Sequence, residues 1–557
     1  MLDASQHPGP ESIVGGTGAY VVFGGAGSTV VGSANSNSGT TAQIVGALNM
    51  SIVLATAGNY TVASAQGDTI TAAAGAANVQ IGGAAGDLID LTGNTGSATI
   101  IATAGNETVI GGSGNTTIYG GFGDSITAGA GGFTYVDGTA GGMRINIGSG
   151  GANLIIGSFA GGPDTITGGA ATVQIQFLGD GDLVDFSGQT GAAEINALAA
   201  GNENLITLGS GPATVYAGAG DTVAMGSGAQ YVDGSAGGVR IAVGSGGSGI
   251  IFGSTGGAPN TITGGAADVQ IQFLGAGDLV NFSGQTGAAA INSTDAGNPN
   301  LIVLGTGAAS VFGGVGDTIS LGSGSQYVDG SAGGMTIKIG SGGIGVVDTI
   351  IGSAASSDTI LGGTSSLSFN PQVGGSGDLL DLSGSTGNAT INTFSSGGAE
   401  LGISDTIMAG NGSDSVFAGG GDRIGVGNST GAGGTHLFGH STSVAGAAIG
   451  FGSNDTVVAT SYDTVTGTAT VDSTVLGASS AQVTIGGAAG DFDSLTDFVF
   501  YQNETASTDA AIVATSQSID GGASSIITLP DGTVMTLLGV TQSELQTALT
   551  AGTLFKA

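Results

Sequence analysis

No cysteine and no tryptophan occur among the 557 residues, only 8 are proline, and lysine and arginine together number 5. Without cysteine there is no disulfide scaffold. Five cations against 40 acids leave a formal net charge of −35. Nothing in such a chain neutralises phosphates, which argues against nucleic acid as a partner and against anionic membrane surfaces. No apolar run approaches the ~18 residues of a membrane helix, so membrane insertion is not expected. The opening stretch, MLDASQHPGPES, has neither a basic n-region nor an apolar h-region. Enzymatic chemistry is also short of residues. His7, His436 and His440 are the only histidines. The zinc reading of a four-residue His spacing needs a helix, and THLFGH lies among Gly, Thr and Ser. A β-helix lyase or epimerase acting on acidic sugars would need cations and a base. Arg144, Arg240, Lys338, Arg423 and Lys556 are the whole basic supply, so no enzyme is expected.

Glycine is what the chain has in excess, with 116 residues, and 40% of the sequence is hydrophobic at regular spacing. Glycine without a G-X-Y period is not collagen, and regular hydrophobicity argues for a packed structure. Residues 111–128 read GGSGNTTIY-GGFGDSITA, nearly two copies of one nine-residue phrase. Consecutive glycines admit φ > 0 and bring neighbouring turns close. A short β-favouring segment follows, with one large apolar residue, Ile118 or Ile126, pointing inward. A unit this small buries its apolar face only by stacking on copies of itself, which predicts a solenoid. GGTGAYVVF from Gly15 and GGAGSTVVG from Gly24 repeat the phrase without an acid.

The phrase resembles the glycine-rich nonapeptide G-G-x-G-x-D-x-U-x of RTX (hemolysin-type) secreted proteins. GNGSDSVF from Gly410 fits it from the second position on, with Asp414 at the aspartate position. GGSGNTTIY has Thr116 there, and GGFGDSIT is one residue short, with Asp124 directly after Gly123. The resemblance implies an all-β, right-handed parallel β-solenoid (a β-roll or β-helix), Ca2+ bound between coils, and type I secretion without a cleaved N-terminal signal. Asp414 and Asp164 (GGPDTI) are the best local matches for calcium. Asp124, Asp221, Asp317 and Asp422 in GxGD turns follow, then Asp137, Asp233 and Asp329 in YVDG. Against each stands the plainer reading that Asp in a Gly-rich turn bonds its own backbone.

A longer period overlies the phrase. GDLIDLTG from Gly86 returns from Gly181, Gly277 and Gly377, at steps of 95, 96 and 100, and YVDG occurs at Tyr135, Tyr231 and Tyr327 at steps of 96. Markers such as Asp68, Asp87, Asn106 and Asp124 divide each block into about five coils of ~19 residues, two short strands to a coil. Alternation in Val173-Gln174-Ile175-Gln176-Phe177 and in Met143-Arg144-Ile145-Asn146-Ile147 is the period-2 signature of half-buried strands. The expected organisation is a tail at 1–12, a solenoid over 13–490 and a small C-terminal cap with the type I secretion signal at 491–557. Within the cap, Pro530-Asp531-Gly532 marks a hairpin turn, and Thr541 with Glu544 marks a capping box opening a short helix.

These readings favour a secreted, calcium-binding structural protein that self-assembles into a surface layer, fibre or extracellular matrix, with divalent ions promoting folding. Its chief partner would be itself, with cell-surface polysaccharide second. Arg144, Arg240 and Lys338 recur on one side of successive blocks, and Gln174, Gln176, Gln270 and Gln272 form a second repeated surface for self-association. The alternative is an adhesin or ice-binding solenoid acting as single rods, with Thr-Ile-Thr at Thr69, Thr165 and Thr261 as its face. A polysaccharide-acting β-helix enzyme ranks third.

Overall fold

A computed structural model of the chain describes residues 1–426 apart from 8, 34–40, 56, 159–160, 199–202, 255, 295–298, 343–345, 354–355, 372–376, 394–404 and 419–421. Beyond 426 it describes the strands from Leu437–His440 to Phe498–Tyr501, and residues 516–528, 534–537 and 540–551. His436, Asp491, the Pro530-Asp531-Gly532 turn and Lys556 lie outside the described residues.

The chain forms two compact units, Met1–Gln272 and Phe273–Ala557, and each is a parallel β-solenoid. One coil shows the pattern. Ala98–Ala102 lies in a first sheet, Thr108–Ile110 in a second, and Thr116–Gly120 returns to the first, in parallel register on Ala98–Ala102. Ser125–Thr127 then stacks on Thr108–Ile110. Two of the nine-residue phrases therefore make one coil.

The parallel part of the second sheet is built from strands of three or four residues. Each three-residue strand of the parallel stack sends its middle side chain inward. Ile126, Ile145 and Ile166 are register partners on consecutive coils, and all three are buried. Ile319, Ile337 and Ile360 repeat this in the second unit. Full burial of one such side chain is worth ~1.5–3 kcal/mol. A strand too short to fold alone is thus held by the column above and below it. The first-sheet strands are longer and bury alternate residues, as Val173 and Ile175 do while Gln174 faces out.

That alternation fails at the end of this strand. Phe177 was expected inside, with Val173 and Ile175, and it is exposed. The register against the previous coil shifts between Ile155 and Ile156, so that Ile156 pairs with Phe177. The extra residue of the bulge turns Phe177 outward, and Leu178 is buried instead.

Parallel pairing begins with Leu2–Asp3 on Val21–Phe23. In the second unit it continues to Gln482–Ile485, which pairs parallel with Val534–Leu537. Val534–Leu537 runs antiparallel to Ser524–Thr528, which in turn is antiparallel to Gln517–Ile519. The helix Gln542–Ala551 follows. The Glu544 N–H donates to Thr541 Oγ1 at 3.3 Å, and the Thr541 N–H donates to Glu544 Oε2 at 2.7 Å. This reciprocal pair is the capping box expected from the sequence, and the small antiparallel sheet with its helix forms the C-terminal cap.

Candidate functional site

The position just before each second-sheet strand holds a buried polar side chain on most coils. Asp68, Asp87, Glu107 and Asp124 occupy it in the first long block, and Asp164, Asp182, Asn204 and Asp221 in the next. In the second unit Asp278, Asn300 and Asp317 hold it, followed by Asp358, Asp378, Asp405 and Asp422. Once per block the position is apolar, at Met50, Met143, Val239 and Met335.

These side chains form a ladder. Along most of it Oδ1 of an Asp or Asn accepts the main-chain N–H of the same position one coil earlier: Asp164 N to Asp182 at 2.7 Å, Asp182 N to Asn204 at 2.7 Å, Asn204 N to Asp221 at 2.9 Å. Glu107 departs from this, its Oε2 accepting the Gly105 N–H of its own turn at 3.1 Å. Where the carboxylate has a second bonded oxygen, it accepts an N–H from its own turn. Gly121 donates to Asp124 Oδ2 at 2.7 Å and Gly218 to Asp221 Oδ2 at 2.8 Å. The donors are backbone groups of the tight turn, which would otherwise be buried without acceptors. The Met and Val positions keep only half of the arrangement. The Met143 N–H still donates to Asp164, but no carboxylate stands there to receive the Asp124 N–H, which turns to the Gly121 carbonyl.

Glu107, not Asn106, is the ladder residue of its coil. Asn106 sits in the turn at φ 59°, in the left-handed region. The marker residues named from sequence were one position out there, because a constant ~19-residue step does not follow turns of unequal length.

The calcium candidates fall into three places. Asp124, Asp164, Asp221, Asp317 and Asp422 are ladder residues, buried to within 1%. Asp414 is buried at the opposite turn, where it accepts the N–H groups of Ala389 at 2.8 Å and Gly410 at 2.9 Å. Gln189 and Gln230 serve the same turn in the first unit, with Oε1 accepting from Gly169 and Gly226. Asp137, Asp233 and Asp329 end first-sheet strands on the outer face, and each accepts the N–H two residues on, from Thr139, Ser235 and Ser331.

Calcium takes six to eight oxygens. Among the described residues no three His, Asp or Glu side chains gather to hold a metal ion. Each coil contributes one side chain to the ladder, and its bonded oxygens are taken mainly by N–H donors, so the ladder side chains alone do not assemble such an oxygen set. Turn N–H groups supply the positive charge there.

Burial dominates the electrostatics of the ladder. Burial first, then the neighbouring carboxylate of Asp124, pushes Glu107 up to about 7. Asp164 and Asp378 are raised to about 7 and Asp221 to about 6, burial again being the first cause. One oxygen each of Glu107, Asp164, Asp378 and Asp405 has no hydrogen-bond partner. In the blocks around Asn204 and Asn300 an amide replaces a carboxylate and relieves the stacking of like charge.

The outer surface carries the other candidates. Arg144 stands between Ser125 and Thr165 on the second sheet, and Arg240 between Thr222 and Thr261. Lys338 lies on the same kind of face between Ser320 and Leu361. All three are exposed, and none has an ion-pair partner among the described residues. Arg240 edges an open cavity of ≈ 760 Å³ lined by Glu203 and by the turn glycines Gly181, Gly220, Gly237 and Gly257. Gln174 and Gln270 face out from the first sheet, with Gln176 and Gln272 half-buried beside them. Gln174 Nε2 donates to Glu194 Oε2 at 3.4 Å on the next coil.

The ladder and the outer faces are as much as geometry alone provides, for no known protein family, no curated protein and no solved structure matches this chain.

Proposed function

We propose that this chain is an extracellular structural β-solenoid whose copies associate through their repeated outer faces. The observation that carries the reading is the recurrence of one exposed arginine, flanked by hydroxyl residues, at register-equivalent positions of successive blocks: Arg144 between Ser125 and Thr165, Arg240 between Thr222 and Thr261. In the first unit these arginines stand five coils, ~24 Å, apart at the ordinary strand spacing. A partner surface is then met repeatedly at fixed intervals. Single exposed ion pairs contribute only ~0–1 kcal/mol, but later contacts form at high effective concentration once the first has formed.

A chain of net charge −35 repels its copies unless cations intervene. Calcium acts in this reading on the surface, between acids of adjacent copies. Asp90, Asp185 and Asp381, at the ends of equivalent second-sheet strands in three of the four blocks, are suited to it. Millimolar affinity is usual for extracellular calcium sites. Support for the RTX resemblance rests on the solenoid and its Gly-Asp turns. Export by type I secretion belongs to the same proposal. The chain is not proposed to be an enzyme.

The test is light scattering with negative-stain imaging, comparing the wild type with Arg144→Glu/Arg240→Glu, with and without millimolar calcium. Ordered, calcium-dependent polymers that weaken in the double variant are expected. A wild type that stays monomeric at high concentration with calcium would defeat the reading.

A further inference from the structure

One outward feature takes no part in the ladder or the arginine rows. On the first sheet the YVDG strands place aromatic rings and a carboxylate side by side. In the first unit Asp137 is the register partner of Tyr119 on the preceding coil and of Ile156 on the next, and Tyr135 lies two residues away on the same face. The Tyr119 and Tyr135 ring centroids are 6.2 Å apart with planes at 64°. Five coils on, Asp233 lies between Tyr216 and Phe252, and Tyr231 and Phe252 are 6.1 Å apart at 55°. In the second unit Asp329 partners Phe312, and Phe312 and Tyr327 are 6.4 Å apart at 64°. Tyr119 and Phe312 are 39% and 43% exposed, a large apolar area to leave in water, and Tyr216, Tyr231 and Phe252 are half-buried.

We propose that these three clusters are binding sites for a neutral, β-linked glucan-type polysaccharide. The chemistry selects the ligand. A tilted ring pair leaves an aromatic face open, against which the C–H face of a pyranose packs. Asp137, Asp233 and Asp329 each have one oxygen tied to an N–H two residues on. That bond fixes the carboxylate and leaves its other oxygen to accept a sugar hydroxyl. Burial, then the adjacent carboxylate, pushes the Tyr135 and Tyr231 phenols up, so both stay protonated and able to donate. Charge narrows the choice further. Arg144, Arg240 and Lys338 all lie on the second sheet. An anionic polymer would meet carboxylates here with no cation beside them among the described residues, and so would the same face of a second copy. Two clusters in one unit, ~24 Å apart, suit a long ligand with a regular repeat, which gains by multivalency. The inference does not depend on self-association, since the two faces are different.

The test is calorimetric titration with the β-1,4- and β-1,3-linked glucose hexasaccharides, followed in parallel by tyrosine emission. Without tryptophan, tyrosine dominates the fluorescence of this chain. A galacturonate hexamer and hexalysine are the charged controls. At least one neutral hexasaccharide should bind and perturb the emission, and the galacturonate hexamer should not bind. Tyr119→Thr/Tyr216→Thr/Phe312→Thr should bind at least tenfold more weakly with an unchanged circular dichroism spectrum. Should that variant lose its fold, Asp137→Asn/Asp233→Asn/Asp329→Asn should still show a several-fold loss. Failure of both neutral hexasaccharides to bind, or unchanged affinity in a folded triple variant, would overturn the proposal. So would binding of hexalysine in preference to the sugars, which would point to a cationic peptide. Loss of self-association in the variant without any sugar binding would point to a copy-to-copy contact and overturn it too.

Discussion

The main-chain N–H of Asp164 donates to the side-chain Oδ1 of Asp182, one coil away, at 2.7 Å. Both residues are buried. The bond couples the turn of one coil to the acid of the next, and its repetition along each block makes the acids part of the scaffold.

Removing one ladder acid should therefore be costly. Asp221 accepts from Asn204 at 2.9 Å and from Gly218 at 2.8 Å. Asp221→Ala leaves two buried N–H groups unpaired and should destabilise the protein by about 2–5 kcal/mol. Asp221→Asn keeps Oδ1 and should cost clearly less, since Asn204 and Asn300 already hold equivalent places. Urea unfolding of the two variants measures the difference. Equal losses would show that the N–H acceptor role is not what matters.

The pH dependence should run opposite to that of most acidic proteins. Glu107, Asp164 and Asp378 are raised to about 7 and Asp221 to about 6. An acid whose folded pKa exceeds its unfolded one holds a proton that unfolding would release. Its contribution to stability is then present in full below the unfolded value near 4 and is lost as pH rises through about 6 to 7. The melting temperature should fall between pH 5 and pH 8, and Glu107→Gln should flatten the fall. A melting temperature that rises over that interval would refute the assignment.

Glycines of one kind of turn, from the second sheet to the first, should respond differently to alanine. A Cβ on Gly244 would lie 1.8 Å from the Gly226 carbonyl oxygen of the coil below, whereas one on Gly188 would meet nothing within 4 Å. Gly244→Ala forces two backbones apart and should cost ~1–3 kcal/mol. Gly188→Ala should be neutral or stabilising by up to ~1 kcal/mol. Thermal melts of the two variants decide it.

Much of this architecture is legible in the residues themselves. Ile118 and Ile126, one per phrase, are both buried, and the Thr541–Glu544 box is read directly from the sequence. The 96-residue spacing of Tyr135, Tyr231 and Tyr327 puts each tyrosine at the same place on its strand. The ladder is harder to see. Its column mixes Asp, Glu, Asn and Met at unequal steps, so Asp87 and Glu107 look unrelated until coils are stacked. Asp414 and Asp164 look alike in sequence, both acids in glycine turns, yet they serve opposite turns of the coil. Phe177 escapes any alternation rule because its bulge depends on the neighbouring strand.

The central claim is that backbone N–H donors, rather than bound cations, hold the buried acids in place. The most direct measurement is the far-ultraviolet circular dichroism melt of the protein in a calcium chelator near pH 6, against the same melt with millimolar calcium. The account predicts a full strand signal and a cooperative transition in chelator, with calcium adding little to the midpoint of the isolated chain. A chain that loses its strand signal in chelator and regains it with calcium would contradict the account and return the ladder acids to the role of metal ligands.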